Sequence, residues 1–128
     1  MKKSQHSRNG WAERFAAEQL KRHNLVGWEF YLLGASCFEE GCIGLCFTKD
    51  KTITVFGFLP NKPLLRRVIL HEIAHALDTE CPTAKVLGAA TLRQYDSLCH
   101  GTSFWKVCKQ LMTAKEYAVD RSEYRRIR

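Results

Sequence analysis

Between Leu64 and Leu77 the chain reads Leu-Leu-Arg-Arg-Val-Ile-Leu-His-Glu-Ile-Ala-His-Ala-Leu, and no other stretch constrains the fold as strongly. At about 100° per residue, Leu65, Ile69, Leu70, Ile73, Ala76 and Leu77 gather on one side of a helix. His71 and His75 fall within about 40° of each other on the other side. The stretch is therefore read as a helix with a core face and a separate histidine face. Pro60-Asn61-Lys62-Pro63 stands just before it, and proline is well tolerated in a first helical turn. A purely structural helix would seldom carry two histidines in that arrangement.

The rest of the chain supplies elements for this helix to pack against. From about Asn9 to Asn24, Trp11, Phe15 and Leu20 with Ala12, Ala16 and Ala17 form an amphipathic helix pattern, and Asn24 and Gly27 bracket its end. Trp28–Leu33 is aromatic and apolar enough for a strand. Gly34 to Gly41 holds turn residues. Ile43–Phe47 and Thr52–Phe56 both alternate, and Thr48-Lys49-Asp50-Lys51 between them reads as a hairpin loop. Residues 78–99 form a long mixed connection with room for a short helix and no assignable role. After His100-Gly101, Thr102 or Ser103 is expected to cap a helix. Phe104, Val107, Cys108, Leu111 and Met112 then recur at i, i+3, i+4, i+7 and i+8.

These elements predict an α+β fold with a small, mainly antiparallel three-stranded sheet. The organisation expected is a disordered basic segment over residues 1–8, one folded domain over 9–113, and a basic tail over 114–128 carrying Arg121, Arg125, Arg126 and Arg128. The length of 128 residues suits one domain with a real apolar core. No apolar run is long enough to span a bilayer, and Met1–Arg8 leads into no apolar signal segment, so no membrane partner and a cytoplasmic location are expected. The six cysteines then read as reduced thiols; none forms a CxxC pair, and Cys108 reads as a small core residue. A net charge of +7 is compatible with nucleic acid as a partner and demands nothing more.

Chemistry concentrates in His71-Glu72-Ile73-Ala74-His75. Two histidines one helical turn apart can hold one metal ion, and the adjacent glutamate can take a proton from a water on that ion. Catalytic zinc commonly has three protein ligands and leaves a position open. Of the other three histidines, His6 lies in the basic segment and His23 sits beside Lys21 and Arg22 at a helix end. His100 precedes a glycine that permits a tight turn and a segment that would dock on the core, so it is the favoured third ligand. Cys81 competes for that place, and Asp78, Glu80 and Asp96 remain alternatives. A thiolate there would add negative charge and weaken the pull on water.

The pairing of His71-Glu72-Ile73-Ala74-His75-Ala76 with His100-Gly101-Thr102-Ser103-Phe104-Trp105 resembles the SprT-like metalloprotease domain, a group that includes Spartan and small phage and bacterial proteins. The order of the preceding helix, strand, cysteine- and glycine-bearing segment Gly41–Cys46 and strand Thr52–Val55 is similar too. The likeness runs from about Trp11 to Leu111. It implies a compact zincin-like domain with one Zn2+ on His71, His75 and His100, and Glu72 as catalytic base. It implies hydrolysis of peptide bonds in protein substrates, in the Spartan branch those crosslinked to DNA, and a host cytosol or nucleoid location for a phage-encoded member. No counterpart of that branch's cysteine-rich C-terminal zinc subdomain is expected within these 128 residues.

Tyr95 and Tyr117 are the candidate stabilisers of transition-state charge, and Thr52–Phe56 is the expected edge strand for pairing with an extended substrate. Two other classes stand against this reading. One is a zinc-stabilised DNA- or protein-binding module, which has little need for Glu72. The other is a basic interaction protein in which the histidine pattern is accidental.

Overall fold

The computed structural model of the chain describes residues 2–33, 44–47, 49–56, 61–78 and 100–127. Among these residues it is mixed α+β. The order is α1 (Lys2–Arg22), β1 (Glu29–Leu33), β2 (Gly44–Phe47), β3 (Thr52–Phe56), α2 (Lys62–Leu77), α3 (Thr102–Leu111) and α4 (Ala114–Ile127). The chain divides into two compact units, Met1–Ala76 and Leu77–Arg128.

In the first unit, α1 begins at Lys2, so the segment expected to be disordered is helical over most of its length. Its end is a left-handed cap. Asn24 takes φ 55°, the Leu25 amide bonds to the Leu20 carbonyl at 2.9 Å, and the Asn24 amide bonds to the Lys21 carbonyl at 3.2 Å. Asparagine accepts this conformation better than most residues, and the paired bonds satisfy carbonyls that a helix end would otherwise leave open. Ala12 and Ala16 are fully buried and Phe15 nearly so, giving α1 an apolar stripe, and α1 packs against β1.

The sheet order is β1-β3-β2. β1 pairs with β3 in parallel, Glu29 opposite Thr52 through Leu33 opposite Phe56. β2 pairs with β3 antiparallel, Gly44 opposite Val55 through Phe47 opposite Thr52. This corrects two expectations. The sheet is evenly mixed rather than mainly antiparallel, because β1 reaches β3 by a crossover and only β2–β3 is a hairpin. Thr52–Phe56 is the central strand and not an edge. Its burial agrees with that position: Ile53 and Val55 are fully buried and Thr54, on the opposite face, is 8% exposed. Lys51 closes the hairpin loop with φ 54°.

Helix α2 follows a side-chain cap. The Asn61 Oδ1 accepts the Leu64 amide at 2.9 Å, and the Asn61 carbonyl accepts the Leu65 amide at 3.1 Å. The amphipathic face forms as the spacing requires, with Leu65, Ile69, Leu70 and Ile73 buried and Ala76 and Leu77 half-buried. The helix is more enclosed than a two-faced pattern suggests, since Arg67, Val68, Glu72 and Ala74 are buried as well. Near its start, the Lys62 ammonium lies 5.7 Å from the Trp11 ring and the Arg66 guanidinium 5.2 Å from the Phe15 ring. Each is a cation over an aromatic face, covering the outer end of the α1 stripe.

In the second unit, α3 starts at Thr102 with Gly101 as its N-cap, so neither Thr102 nor Ser103 serves as the cap. Of the predicted stripe, Phe104, Cys108 and Met112 are buried and Val107 and Leu111 half-buried; Trp105, outside that pattern, is buried as well. The basic tail expected from residue 114 is instead the helix α4, packed on α3. Its start is a reciprocal cap: the Glu116 amide donates to Thr113 Oγ1 at 3.1 Å, and the Thr113 amide donates to Glu116 Oε1 at 2.9 Å.

Candidate metal centre

Helix α2 brings His71 and His75 together one turn apart, their ring centroids 5.1 Å from each other and their planes inclined at 71°. Both are half-buried. Glu72, one residue on, projects about 100° further round the helix. Its side chain is 5% exposed and lies against the backbone of β2 at Gly44.

His100 precedes α3 by two residues and is half-buried. Its ring meets Phe104 edge-on at 4.9 Å and lies 6.1 Å from Trp105. The Trp105 indole N–H donates to the His100 carbonyl at 3.0 Å. Trp105 is held in turn by the Arg121 guanidinium, 4.6 Å from its ring centroid, and by Tyr117 edge-on at 6.2 Å. The turn carrying His100 is thus fastened by side chains of α3 and α4, which are rigid elements. That arrangement suits a ligand that must be held in one orientation.

His71 and His75 of the first unit and His100 of the second each offer one imidazole nitrogen of the kind that ligates a metal ion. Their chemistry fits zinc: neutral imidazoles are ordinary zinc ligands, and three of them leave a coordination position open. In the second unit, Cys108 and Asp120 are further buried residues of ligating chemistry. The pattern on α3 marks Cys108 as a core residue, and it is fully buried. Asp120 escapes sequence reasoning, because a lone acid in a polar helix carries no signal that it will be 5% exposed.

The remaining candidates fall differently. Tyr117 is half-buried and packs its ring on Trp105. Asp78 is buried. Tyr95, Cys81, Glu80 and Asp96 lie outside the described residues. Compared with protein-family models, curated proteins and solved structures, the chain matches none.

Proposed function

We propose that the chain is a zinc-dependent endopeptidase of the SprT-like kind, acting on protein substrates. The observation that carries this reading is the pair of half-buried histidines one turn apart on α2, with a buried glutamate directly after the first of them; His100 is the proposed third ligand.

His71, His75 and His100 would hold the zinc ion, which when bound would supply Lewis acidity for activating water and the scissile carbonyl. Glu72 accepts the proton of the attacking water and returns it to the leaving amine. Burial of the Glu72 side chain keeps its carboxylate in one place, which serves a group that must meet the same water in every turnover. An extended peptide pairs with β2, which forms one edge of the sheet and begins at the residue that touches Glu72. The net charge of +7 is compatible with substrates associated with DNA.

The test compares parent protein with Glu72→Gln, both purified without added zinc, on a basic DNA-binding protein with and without single-stranded DNA. Parent carrying about one zinc and cleaving, with the variant retaining zinc but inert, is the expected result. A variant that cleaves as fast as the parent refutes the mechanism. Metal held with no cleavage by either protein would favour a zinc-stabilised binding module.

A further inference from the structure

Gly44 opens β2 opposite Val55 of β3, and its place against α2 is unusually close. A Cβ built on it would stand 2.9 Å from Glu72 Oε2, 3.1 Å from Glu72 Cγ and 3.0 Å from Val68 Cγ1. Carbon atoms in ordinary contact are about 3.5–4.0 Å apart, so a methyl group here overlaps both side chains. Glycine is not needed for the backbone, since Gly27 is the glycine with positive φ among the described residues. The demand is for space.

The two neighbours differ in what they can do about an intruding methyl. Val68 is 3% exposed and branched at Cβ, so it has little freedom to turn. Glu72 is unbranched, so its side chain has more bonds to turn about, and the atom closest to the missing Cβ is one of its oxygens. The group that gives way is the carboxylate.

We propose that Gly44 is a positioning residue for Glu72: the bare backbone of β2 forms the wall that sets where the carboxylate lies. This rests on the reading of Glu72 as the proton acceptor. Displacing a reacting group by about 1 Å can cost up to about a hundredfold in rate, which sets the scale of the effect.

The experiment measures kcat, KM, zinc content and thermal midpoint for the parent, Gly44→Ala, Glu72→Gln, Glu72→Ala, Val68→Ala and the doubles of Gly44→Ala with Glu72→Ala and Val68→Ala. Gly44→Ala is expected to lower kcat by about 10- to 100-fold with KM within about twofold and zinc content unchanged. It should lower the midpoint in the parent and lower it less in Glu72→Ala, where the oxygen and Cγ are gone; that difference isolates the contact. Adding Val68→Ala should recover midpoint and leave kcat low.

Gly44→Ala keeping parental kcat while Glu72→Gln is dead overturns the proposal. So does recovery of kcat by Val68→Ala, which would make the effect one of strand packing. If Gly44→Ala does not fold, folding of its double with Glu72→Ala supports the contact, and failure of both overturns it. Activity in Glu72→Gln would instead show that the base was misassigned, and the proposal would fall with it.

Discussion

Trp105→Phe tests whether α3 and α4 hold His100 for a purpose. The substitution keeps an aromatic ring at a position that is 6% exposed, and removes the indole N–H that donates to the His100 carbonyl at 3.0 Å. A hydrogen bond of this kind contributes about 0.5–1.5 kcal/mol net. The Arg121 guanidinium, 4.6 Å from the ring, loses part of a cation–π contact amounting to about 0.5–1 kcal/mol, since phenylalanine is the weaker partner. Stability of the folded chain should fall by about 1–2 kcal/mol from these two losses. If His100 is a ligand, zinc affinity should fall too, because loosening the support of a ligand commonly costs about 10- to 100-fold. Thermal unfolding of metal-free protein gives the first quantity, and competition for zinc against a chelator of known affinity gives the second. Val107→Ala is the control: it trims the same helix at a half-buried position and spares the hydrogen bond. Parental zinc affinity in Trp105→Phe, or an equal loss in Val107→Ala, would refute the claim that the indole orients the ligand.

His100→Ala should cut zinc retained after purification from about one equivalent to a small fraction, read by elemental analysis; unchanged metal would move the third ligand elsewhere. Thr113→Ala and Glu116→Ala should each cost about 1 kcal/mol, and together less than their sum, because each side chain caps an amide of the other residue. Full additivity in denaturant unfolding would show that the two bonds do not act as a box. Burial, and then the neighbouring Arg22, holds the His23 imidazole below its ordinary value of 6.5. A depressed folded-state value means stability present above 6.5 and lost as pH falls through the folded value. His23→Gln should therefore flatten the fall of the thermal midpoint below that pH relative to the parent, and parallel curves would exclude the effect.

What the sequence reveals of this fold depends on whether a residue's partner is local. The ends of α1 and α2 are set by Asn24 and Asn61, whose side-chain and backbone chemistry acts within a turn, and both are legible. The start of α4 carries a local signal too, since a threonine and a glutamate three residues apart in Thr113-Ala114-Lys115-Glu116 spell a capping box, yet residues 114–128 read as a basic tail. Polarity hides the helix, because its sequence is rich in charged residues and carries no strong apolar stripe. Strand order is different. The spacing of β2 and β3 predicts their hairpin, but nothing in Glu29–Leu33 says that it will pair in parallel with β3 across an intervening strand. That choice turns on long-range packing, and it decides which strand is central.

The candidate site divides along the same line. His71 and His75 are joined by the helix period, so the sequence alone predicts their proximity, and ring centroids 5.1 Å apart are what one turn gives. His100 is 25 residues beyond His75, and only its setting before a glycine and an apolar periodic segment marks it. The supports of these residues are hidden further still. The indole of Trp105 could have been read as one more core aromatic, and Gly44 as a turn residue or a weak point in a strand. Each has its significance from a single neighbour, the His100 carbonyl in one case and the Glu72 carboxylate in the other. Residues that carry chemistry declare themselves by type, whereas those that aim them are ordinary residues in particular places. For this chain, the decisive substitutions are therefore at Trp105 and Gly44 as much as at the histidines.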